Sequence, residues 1–306
     1  MAQARRILFQ KHFGRSTLAN EKWRRKEGVA YKVLVSHGRK YLREKRPQLF
    51  TLSFDWNSHV IDIEGTKDQL FLDAFFELFR RYSSEFLNGI ALDVGANYGT
   101  HSIYYSNYFG KVHAFEPNRL VFDCLELNTR KHGNITCHNW GASESGGVAY
   151  IDVPDGHTGA AKVTNAPVGR ANQIELRRLD QMDDPGGRVM LMKVDVEGHE
   201  CSTLKGAAGI IRKDMPIVLF EQAASEIVNG TSETISYLTE LGYQRFATQY
   251  DSHSLPQGNL RGDVHLALST LRRLFTKRTY SIELVDRFES RYHSQIIAIP
   301  DWASLG

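Results

Sequence analysis

The chain has 306 residues and a formal net charge of +3, and 42% of its residues are hydrophobic. This size and composition are sufficient for a large buried core, so they exclude a disordered chain and indicate a globular protein. No apolar run approaches the roughly 18 residues that span a bilayer, and the first residues lack the hydrophobic block of a secretory signal. We therefore expect a cytoplasmic protein.

The chain contains three cysteines, Cys124, Cys137 and Cys201. Their spacing matches neither a disulfide framework nor a zinc site. We expect them to be reduced thiols that fill core space, and we assign no residue as a metal ligand.

Positive charge is concentrated in a basic arm, residues 1–46, which holds 14 Lys and Arg residues against three acidic residues. The arm has a formal charge of +11, and the rest of the chain carries −8. Clustered Lys and Arg attract anionic membrane surfaces, nucleic acid and phosphorylated substrates. The alternative is a solvated, partly helical leader. We predict an N-terminal extension over residues 1–50 and a second domain over residues 51–306.

Strands and helices are predicted to alternate along much of the chain. Residues 50–65 alternate in polarity, which predicts a β-hairpin, and residues 66–82 have apolar residues at helical spacing. Further strands are predicted at "GIALDVGA", "KVHAFEP" and "NITCHNWGA", with helices at "HSIYYSNYFG" and "NRLVFDCLELNTRKHG" between them. This alternation predicts an α/β fold with a doubly wound parallel sheet.

Residues 143–180 interrupt the alternation, because they are rich in Gly, Pro, Asn and Thr. We predict an antiparallel excursion there, near the ligand-facing edge of the sheet. The pattern resumes with a strand at "GRVMLMKVDVEGHE", a helix at "CSTLKGAAGIIRK" and a strand at "PIVLFEQ". Residues 231–241 are predicted to be helical, and "YSIELVDRFESRYHSQIIAIP" is predicted to supply a last strand or an antiparallel pair.

The first of these strands runs into a loop, "LDVGANYGTHS", which lies where open α/β sheets bind their ligands. Gly95 and Gly99 permit a tight turn, but the loop lacks the three-glycine pattern of a dinucleotide site. The amide of Asn97 could donate to a carboxylate and Asp93 could receive an ammonium group, which suits the zwitterionic end of S-adenosylmethionine. An ordinary turn with Asn97 in a left-handed conformation is the alternative.

The helix after this loop needs a cap, which Thr100 or Ser102 could provide. The next strand ends at Glu116 and Pro117, and Glu116 follows Gly95 by 21 positions. An acid at about this spacing accepts hydrogen bonds from ribose hydroxyls in related sheets. NAD and S-adenosylmethionine both contain that ribose, but the loop lacks the bare glycine backbone that a pyrophosphate needs.

The third strand ends in residues that would flank an adenine: Asn139, Trp140, Gly141 and Ala142. Trp140 could stack on the base or fill core space.

The fourth strand ends in an acidic segment, "LMKVDVEGHE", which contains Asp195, Glu197, His199 and Glu200. Glu221 ends the following strand and could join the same pocket. Methyl transfer to a hydroxyl requires alignment of the reacting atoms and a base, and His199 or a carboxylate could be that base. The alternatives are a helix-capping Glu200, a surface His199 and carboxylates that bind a divalent cation. Whether a cation takes part stays open.

Six motifs occur in a fixed order: "LDVGANYGTHS", "AFEP", "RRLD", "MKVDVEGHE", "LKGA" and "PIVLFEQ". On these motifs the chain resembles the FkbM-type S-adenosylmethionine-dependent methyltransferases over residues 60–225. The resemblance implies a class I methyltransferase (Rossmann-like) fold with about seven strands, the last antiparallel. It also implies O-methylation of a sugar, glycan or natural product, with S-adenosyl-L-homocysteine as the second product. It places cofactor binding on Asp93, Gly95, Asn97, Gly99 and Glu116, and a pocket role on Asp195 and Glu197.

The pattern and the resemblance together define two sets of candidate residues. The cofactor-binding set is Asp93, Gly95, Ala96, Asn97, Tyr98, Gly99, Ser102, Glu116, Pro117, Asn139, Ala142 and Asp195. The catalytic set is Asp195, Glu197, His199 and Glu221.

Three other functions compete with a small-molecule or glycan O-methyltransferase. An RNA methyltransferase could use the basic arm, but it would be expected to show an N-P-P-Y-like stretch or a nucleophilic cysteine at the fourth strand, and Cys201 falls in the predicted helix. A nicotinamide-dependent oxidoreductase would be expected to show three loop glycines. A binding module without activity is the least favoured. The sequence indicates neither the acceptor nor the oligomeric state.

Overall fold

The computed structural model of the chain describes residues 6–13, 49–52, 55, 58, 61, 68–153, 162–164, 172–251 and 278–304. Within these residues there are thirteen strands and seven α-helices. The first half of the chain contains β1 (Arg6–Phe13), α1 (Gln69–Leu78), α2 (Ser83–Leu87), β2 (Ile90–Val94), α3 (Thr100–Tyr105), β3 (Lys111–Phe115), α4 (Arg119–Thr129), β4 (Ile135–His138), β5 (Gly141–Ala142) and β6 (Gly147–Asp152). The second half contains β7 (Lys162–Thr164), β8 (Asn172–Arg177), β9 (Val189–Val194), α5 (Glu200–Gly206), α6 (Ala208–Asp214), β10 (Ile217–Gln222), α7 (Glu233–Glu240), β11 (Arg245–Asp251), β12 (Arg278–Leu284) and β13 (His293–Ile299).

The chain forms two compact units. The larger unit is Leu49–Ala247 with Asp286–Gly306, and the smaller unit is Met1–Gln48 with Thr248–Val285. None of the helices in the described part of the chain is long and apolar enough to cross a membrane.

The main sheet of the larger unit has the strand order β4-β3-β2-β9-β10-β13, and β11, which begins in this unit at Arg245, follows β13. The pairs β4-β3, β3-β2, β2-β9 and β9-β10 are parallel, whereas β13 is antiparallel to β10. The alternating α/β pattern and the antiparallel last strand are therefore confirmed, and this is the class I methyltransferase arrangement that the resemblance implied.

The central strands are apolar because both faces of the sheet are covered. Every residue of β2 and of β9 is buried, and a buried parallel strand reads as a continuous apolar run. Each strand nevertheless carries one charged residue, Asp93 in β2 and Lys193 in β9, and these two residues are direct neighbours in the parallel register.

The predicted excursion after residue 143 is a separate small sheet of the larger unit, with the strand order β5-β8-β6-β7. Strand β6 is antiparallel to both β7 and β8, and Ala149, Ile151 and Ile174 form its buried core. The antiparallel character is therefore confirmed, although residues 154–161 and 165–171 lie outside the described residues.

Two predicted elements are each divided in the structure. The strand predicted at 134–142 separates into β4 and β5 because the side chain of Asn139 donates to the carbonyl oxygens of Glu116 and Pro117, at 2.9 and 3.2 Å, where the chain changes sheet. The helix predicted at 201–213 separates into α5 and α6 at Ala207, directly after Gly206. Glycine is a weak helix former, and a Cβ at Gly206 would lie 2.0 Å from the carbonyl oxygen of Ser143.

The hairpin predicted at 50–65 lies mostly outside the described residues. Ser58 and Ile61, which are described, have helical rather than extended backbone. The carboxylate of Asp55 accepts a hydrogen bond from the N–H of Ser58 at 3.3 Å, a contact of the kind that begins a helical turn.

The smaller unit contains the described part of the basic arm. Strand β1 pairs with β12 in an antiparallel ladder from Arg6 opposite Leu284 to Phe13 opposite Arg278. This part of the arm is therefore a strand and not part of a helical leader. Residues 14–48 of the arm lie outside the described residues.

Candidate active site

The strand order of the larger unit reverses between β2 and β9, and ligands of open α/β sheets bind at such a position. The loops that follow these two strands touch each other. The N–H of Asp195 donates to the carbonyl oxygen of Val94 at 3.0 Å, and a Cβ at Gly95 would lie 1.9 Å from the carbonyl oxygen of Asp195. Because Gly95 also has a φ of 77°, only glycine fits at this point.

The loop after β2 turns through three residues with positive φ, Gly95, Asn97 and Gly99. The side-chain oxygen of Asn97 accepts a hydrogen bond from the N–H of Tyr98 at 2.9 Å, so the left-handed conformation weighed for Asn97 is present. Gly99 is the N-cap residue of α3, and neither Thr100 nor Ser102 caps this helix. The predicted capping role was therefore wrong.

Ser102 instead donates its hydroxyl to the carboxylate of Asp93, and both residues are completely buried. The other oxygen of Asp93 lies 3.3 Å from the Lys193 ammonium group. Asp93 and Ser102 thus support the loop from inside the protein and do not line the cavity beside it.

Glu116 lies beside the loop at the end of β3 and is 8% exposed. Its two carboxylate oxygens accept hydrogen bonds from the N–H groups of Asn97 and Asn118, at 3.0 and 2.8 Å. Burial raises the pKa of Glu116 to about 7, although these N–H groups oppose the effect. Each carboxylate oxygen has a second lone pair, so Glu116 can accept further hydrogen bonds from a ligand in the cavity.

One cavity of the larger unit extends from the loop after β2 to the acidic segment after β9. Of the predicted residues, it is lined by Gly95, Ala96, Asn97, Tyr98, Glu116, Pro117, Ala142, Asp195, Glu197 and His199. Asp93, Gly99, Ser102, Asn139 and Glu221 do not line it. Trp140 does line it while packing edge-on against Phe115, with a ring separation of 4.7 Å, so this ring is part of the core and of the cavity wall.

The acidic segment forms a tight turn between β9 and α5. Glu197 has a φ of 53° and Gly198 a φ of 95°, so Glu197 reaches the cavity from a turn. The carboxylate of Glu200 accepts hydrogen bonds from the N–H groups of Val196 and Gly198, at 3.2 and 3.1 Å. Burial raises the pKa of Glu200 to about 7. Glu200 therefore shapes the turn before α5, and it does not cap the helix as the alternative held, because the N-cap residue is His199 and its side chain makes no capping hydrogen bond.

Three carboxylates converge at the acidic segment, two of which line the cavity. One oxygen atom from each of Asp195, Glu197 and Glu221 lies within 4.8 Å of the others. These are hard oxygen donors that suit a divalent cation by type. However, the Asp195 carboxylate already lies 3.3 Å from the Lys193 ammonium group, and the Tyr292 hydroxyl donates to Glu221 at 2.6 Å. Burial and the neighbouring acids raise the pKa of Tyr292 well above its ordinary value, so this hydroxyl keeps its proton.

His199 is the N-cap residue of α5 and faces the cavity. Its Nε2 atom lies 3.0 Å from the hydroxyl oxygen of Ser143. Burial lowers the pKa of His199, which favours the neutral imidazole, and a neutral imidazole can accept a proton.

Sequence reasoning missed three residues of the site: Ser143, Lys193 and Tyr292. Lys193 carried a signal, because it is the one charged residue in the buried strand "VMLMKV". Ser143 and Tyr292 carried none, because they reach His199 and Glu221 from positions 56 and 71 residues away.

The profile of the methyltransferase FkbM domain matches residues 93–245, which is half of the chain. The chain belongs to the FkbM methyltransferase family. Every predicted site residue, from Asp93 to Glu221, falls within the FkbM domain, whereas Tyr292 and the basic arm lie outside it.

A curated relative shares 34% identity with the FkbM chain over 125 residues, the hexuronic acid methyltransferase AglP of Haloferax volcanii. This match covers 39% of the chain and 50% of AglP, so the chain spans about half of the length of the relative it matches.

Two solved structures are also similar to the chain. The methyltransferase FkbM of Methylobacillus flagellatus is 18% identical with a TM-score of 0.37, and the match covers 83% of this chain and 59% of that one. The putative methyltransferase SMU.1697c of Streptococcus mutans, solved in complex with SAH, is 13% identical with a TM-score of 0.36, and the match covers 69% of this chain and 97% of that one.

Proposed function

We propose that the protein transfers a methyl group from S-adenosylmethionine to a hydroxyl of a sugar or glycan and releases S-adenosylhomocysteine. The observation that carries this proposal is the continuity of the cavity. A single crevice joins the turn at Gly95 and the buried acceptor Glu116 to the carboxylates of Asp195 and Glu197. A cofactor and an acceptor could therefore meet in it.

The half of the crevice near β2 and β3 suits the cofactor. Glu116 has spare acceptor capacity for the two ribose hydroxyls, and Trp140 and Phe115 supply an apolar wall for the adenine. The side chain of Asn97 can donate to the methionine carboxylate through its amide nitrogen while its oxygen holds the Tyr98 N–H. When bound, the cofactor supplies an electrophilic methyl group on a sulfonium.

The half near β9 suits a hydroxylated acceptor. The carboxylates of Asp195 and Glu197 can accept hydrogen bonds from acceptor hydroxyls and so orient the ring. The hydroxyl oxygen must lose a proton as it attacks, and the neutral imidazole of His199 can take it. Alignment of oxygen, methyl carbon and sulfur in one crevice supplies the rest of the rate enhancement.

Two observations support a sugar or glycan as the acceptor class. The curated relative is a hexuronic acid methyltransferase, and the acidic end of the crevice is rich in hydrogen-bond acceptors of the kind that a polyhydroxylated ring satisfies. A natural-product hydroxyl would fit the same chemistry. An RNA methyltransferase and a nicotinamide-dependent oxidoreductase are the alternatives carried from the sequence, and no contact in the described crevice favours either.

Calorimetry with S-adenosylhomocysteine tests the cofactor half. We expect the wild type to bind it, and we expect Glu116→Ala to weaken binding by about tenfold or more, because two hydrogen bonds to the Glu116 carboxyl group are lost. Glu126→Ala is the matched control, since Glu126 is exposed on α4. Absence of binding by the wild type would refute the proposal.

Transfer of labelled methyl groups from S-adenosylmethionine into a cell extract tests the acceptor half. We expect the label in the carbohydrate fraction, in a form that resists mild base as a methyl ether does. Label in RNA instead would favour the RNA methyltransferase.

A further inference from the structure

Lys193 lies between the two halves of the crevice, and the proposed reaction assigns it no step. It is 2% exposed, yet it lines the cavity. Its ammonium group donates to the carbonyl oxygen of Gly95 at 2.8 Å and lies 3.3 Å from a carboxylate oxygen of Asp195. One side chain therefore contacts the loop after β2 and the acid after β9.

The same ammonium group lies between two carboxylates, those of Asp93 and Asp195. Asp93, its neighbour in the sheet register, lies 3.3 Å from it and does not line the cavity. Its field also reaches Glu116. The largest influence on the pKa of Glu116 is burial, which raises it. The N–H groups of Asn118 and Asn97 lower this pKa, Lys193 lowers it by a smaller amount, and Asp93 raises it slightly. Lys193 thus acts on groups of both halves.

We propose that Lys193 is a positioning residue that couples the cofactor half of the crevice to the acceptor half, an inference that rests on the proposed function. By holding the Gly95 carbonyl oxygen it fixes the loop that would receive the cofactor. By holding the Asp195 carboxylate it fixes the acid that would face the acceptor. A change on one side of the ammonium group is therefore transmitted to the other.

A purely structural role would be to neutralise Asp93, and the test has to separate the two roles. Removing the lysine alone leaves the fully buried Asp93 without its cation, and an uncompensated buried charge strongly destabilises a folded protein. Lys193→Met could therefore fail to fold. The double variant Asp93→Asn/Lys193→Met removes both buried charges together and leaves the contacts to Gly95 and Asp195 unmade, so it isolates the coupling role.

The first measurement is the affinity for S-adenosylhomocysteine across pH. Compared with Asp93→Asn alone, we expect Asp93→Asn/Lys193→Met to bind about tenfold more weakly. We also expect the affinity of the double variant to rise with pH, with a midpoint at a higher pH than in Asp93→Asn. The reason is that Lys193 lowers the pKa of Glu116, so its removal raises that pKa. Asp93→Asn/Lys193→Arg should recover part of both effects. Lys213→Met, at an exposed lysine of α6, should match the wild type.

The second measurement is a double-mutant cycle between Lys193→Met and Asp195→Asn in the Asp93→Asn background. We expect Asp195→Asn to change the affinity for S-adenosylhomocysteine severalfold when Lys193 is present and to change it little when Lys193 is absent. Additive effects together with an unshifted pH midpoint would overturn the role of Lys193 and leave the proposed function intact. Absence of binding by the wild type would overturn both.

Discussion

Glu116 and Glu200 are two acids whose carboxylates lie almost entirely inside the protein. Burial raises the pKa of each to about 7, compared with about 4.3 for an unperturbed glutamate. An acid whose pKa is higher in the folded state stabilises the fold below its unfolded pKa. That stabilisation is lost as the pH rises through the folded pKa. The window for both residues therefore runs from about pH 4 to about pH 7.

The stability of the protein should accordingly respond to Glu200→Gln in a pH-dependent way. We expect the free energy of unfolding to fall between pH 5 and pH 8 in the wild type and to fall less in the variant. The difference between the two falls should be on the order of 3 kcal/mol at most. Urea unfolding at both pH values measures it. Glu126→Gln changes an exposed acid, so its free energy of unfolding should change with pH as in the wild type. The same pH dependence in Glu200→Gln as in the wild type would contradict the raised pKa of Glu200.

At the scale of elements, the loop after β2 and the turn after β9 form one structural piece. Gly95 has no room for a Cβ beside the Asp195 carbonyl oxygen, and Lys193 ties the same two segments through its ammonium group. The site therefore depends on the fit between two turns that lie about 100 residues apart in the sequence.

Gly95→Ala should show this dependence directly. The added methyl group would force the two turns apart and would require a strained φ, so we expect a loss of about 2 kcal/mol or more in the free energy of unfolding. We also expect binding of S-adenosylhomocysteine to fall below detection. Gly133→Ala is the matched control, since a Cβ there meets no atom within 4 Å. Equal effects of the two substitutions would mean that the close approach at Gly95 is unimportant.

Periodicity and turn residues were sufficient to predict most elements of the larger unit. Strands β2 and β9 are recognisable as apolar runs, and the glycines of the loop after β2 mark its turn. The divisions between β4 and β5 and between α5 and α6 were not predictable, because they depend on the contacts of Asn139 with β3 loop carbonyls and of Gly206 with Ser143. The contact of Lys193 with Gly95 and that of Tyr292 with Glu221 join residues 98 and 71 positions apart, so sequence spacing could not assign them.

At the scale of the whole molecule, the two units differ in formal charge. The smaller unit holds 19 Lys and Arg residues against six acidic residues, which sums to +13, whereas the larger unit carries −10. The basic arm supplies most of the positive charge. Fields of this kind attract anionic surfaces at long range and weaken as salt is added.

We expect the full chain to associate with phosphatidylserine vesicles at low salt and not with phosphatidylcholine vesicles, with binding that falls steeply as salt increases. Replacing Arg39, Lys40, Arg43, Lys45 and Arg46 by Gln should reduce the association while leaving strand β1 unchanged. Co-sedimentation measures both effects. Failure of the wild type to bind at low salt would remove the membrane-surface role, and equal binding of both vesicle types would show that charge does not drive it.

The contact between Gly95 and the Asp195 carbonyl oxygen also limits how this protein can be recombined with its relatives. A chimaera that takes the loop after β2 from one parent and the turn after β9 from another would inherit two surfaces shaped for different partners. We therefore expect a chimaera to fold only when both turns and Lys193 come from the same parent.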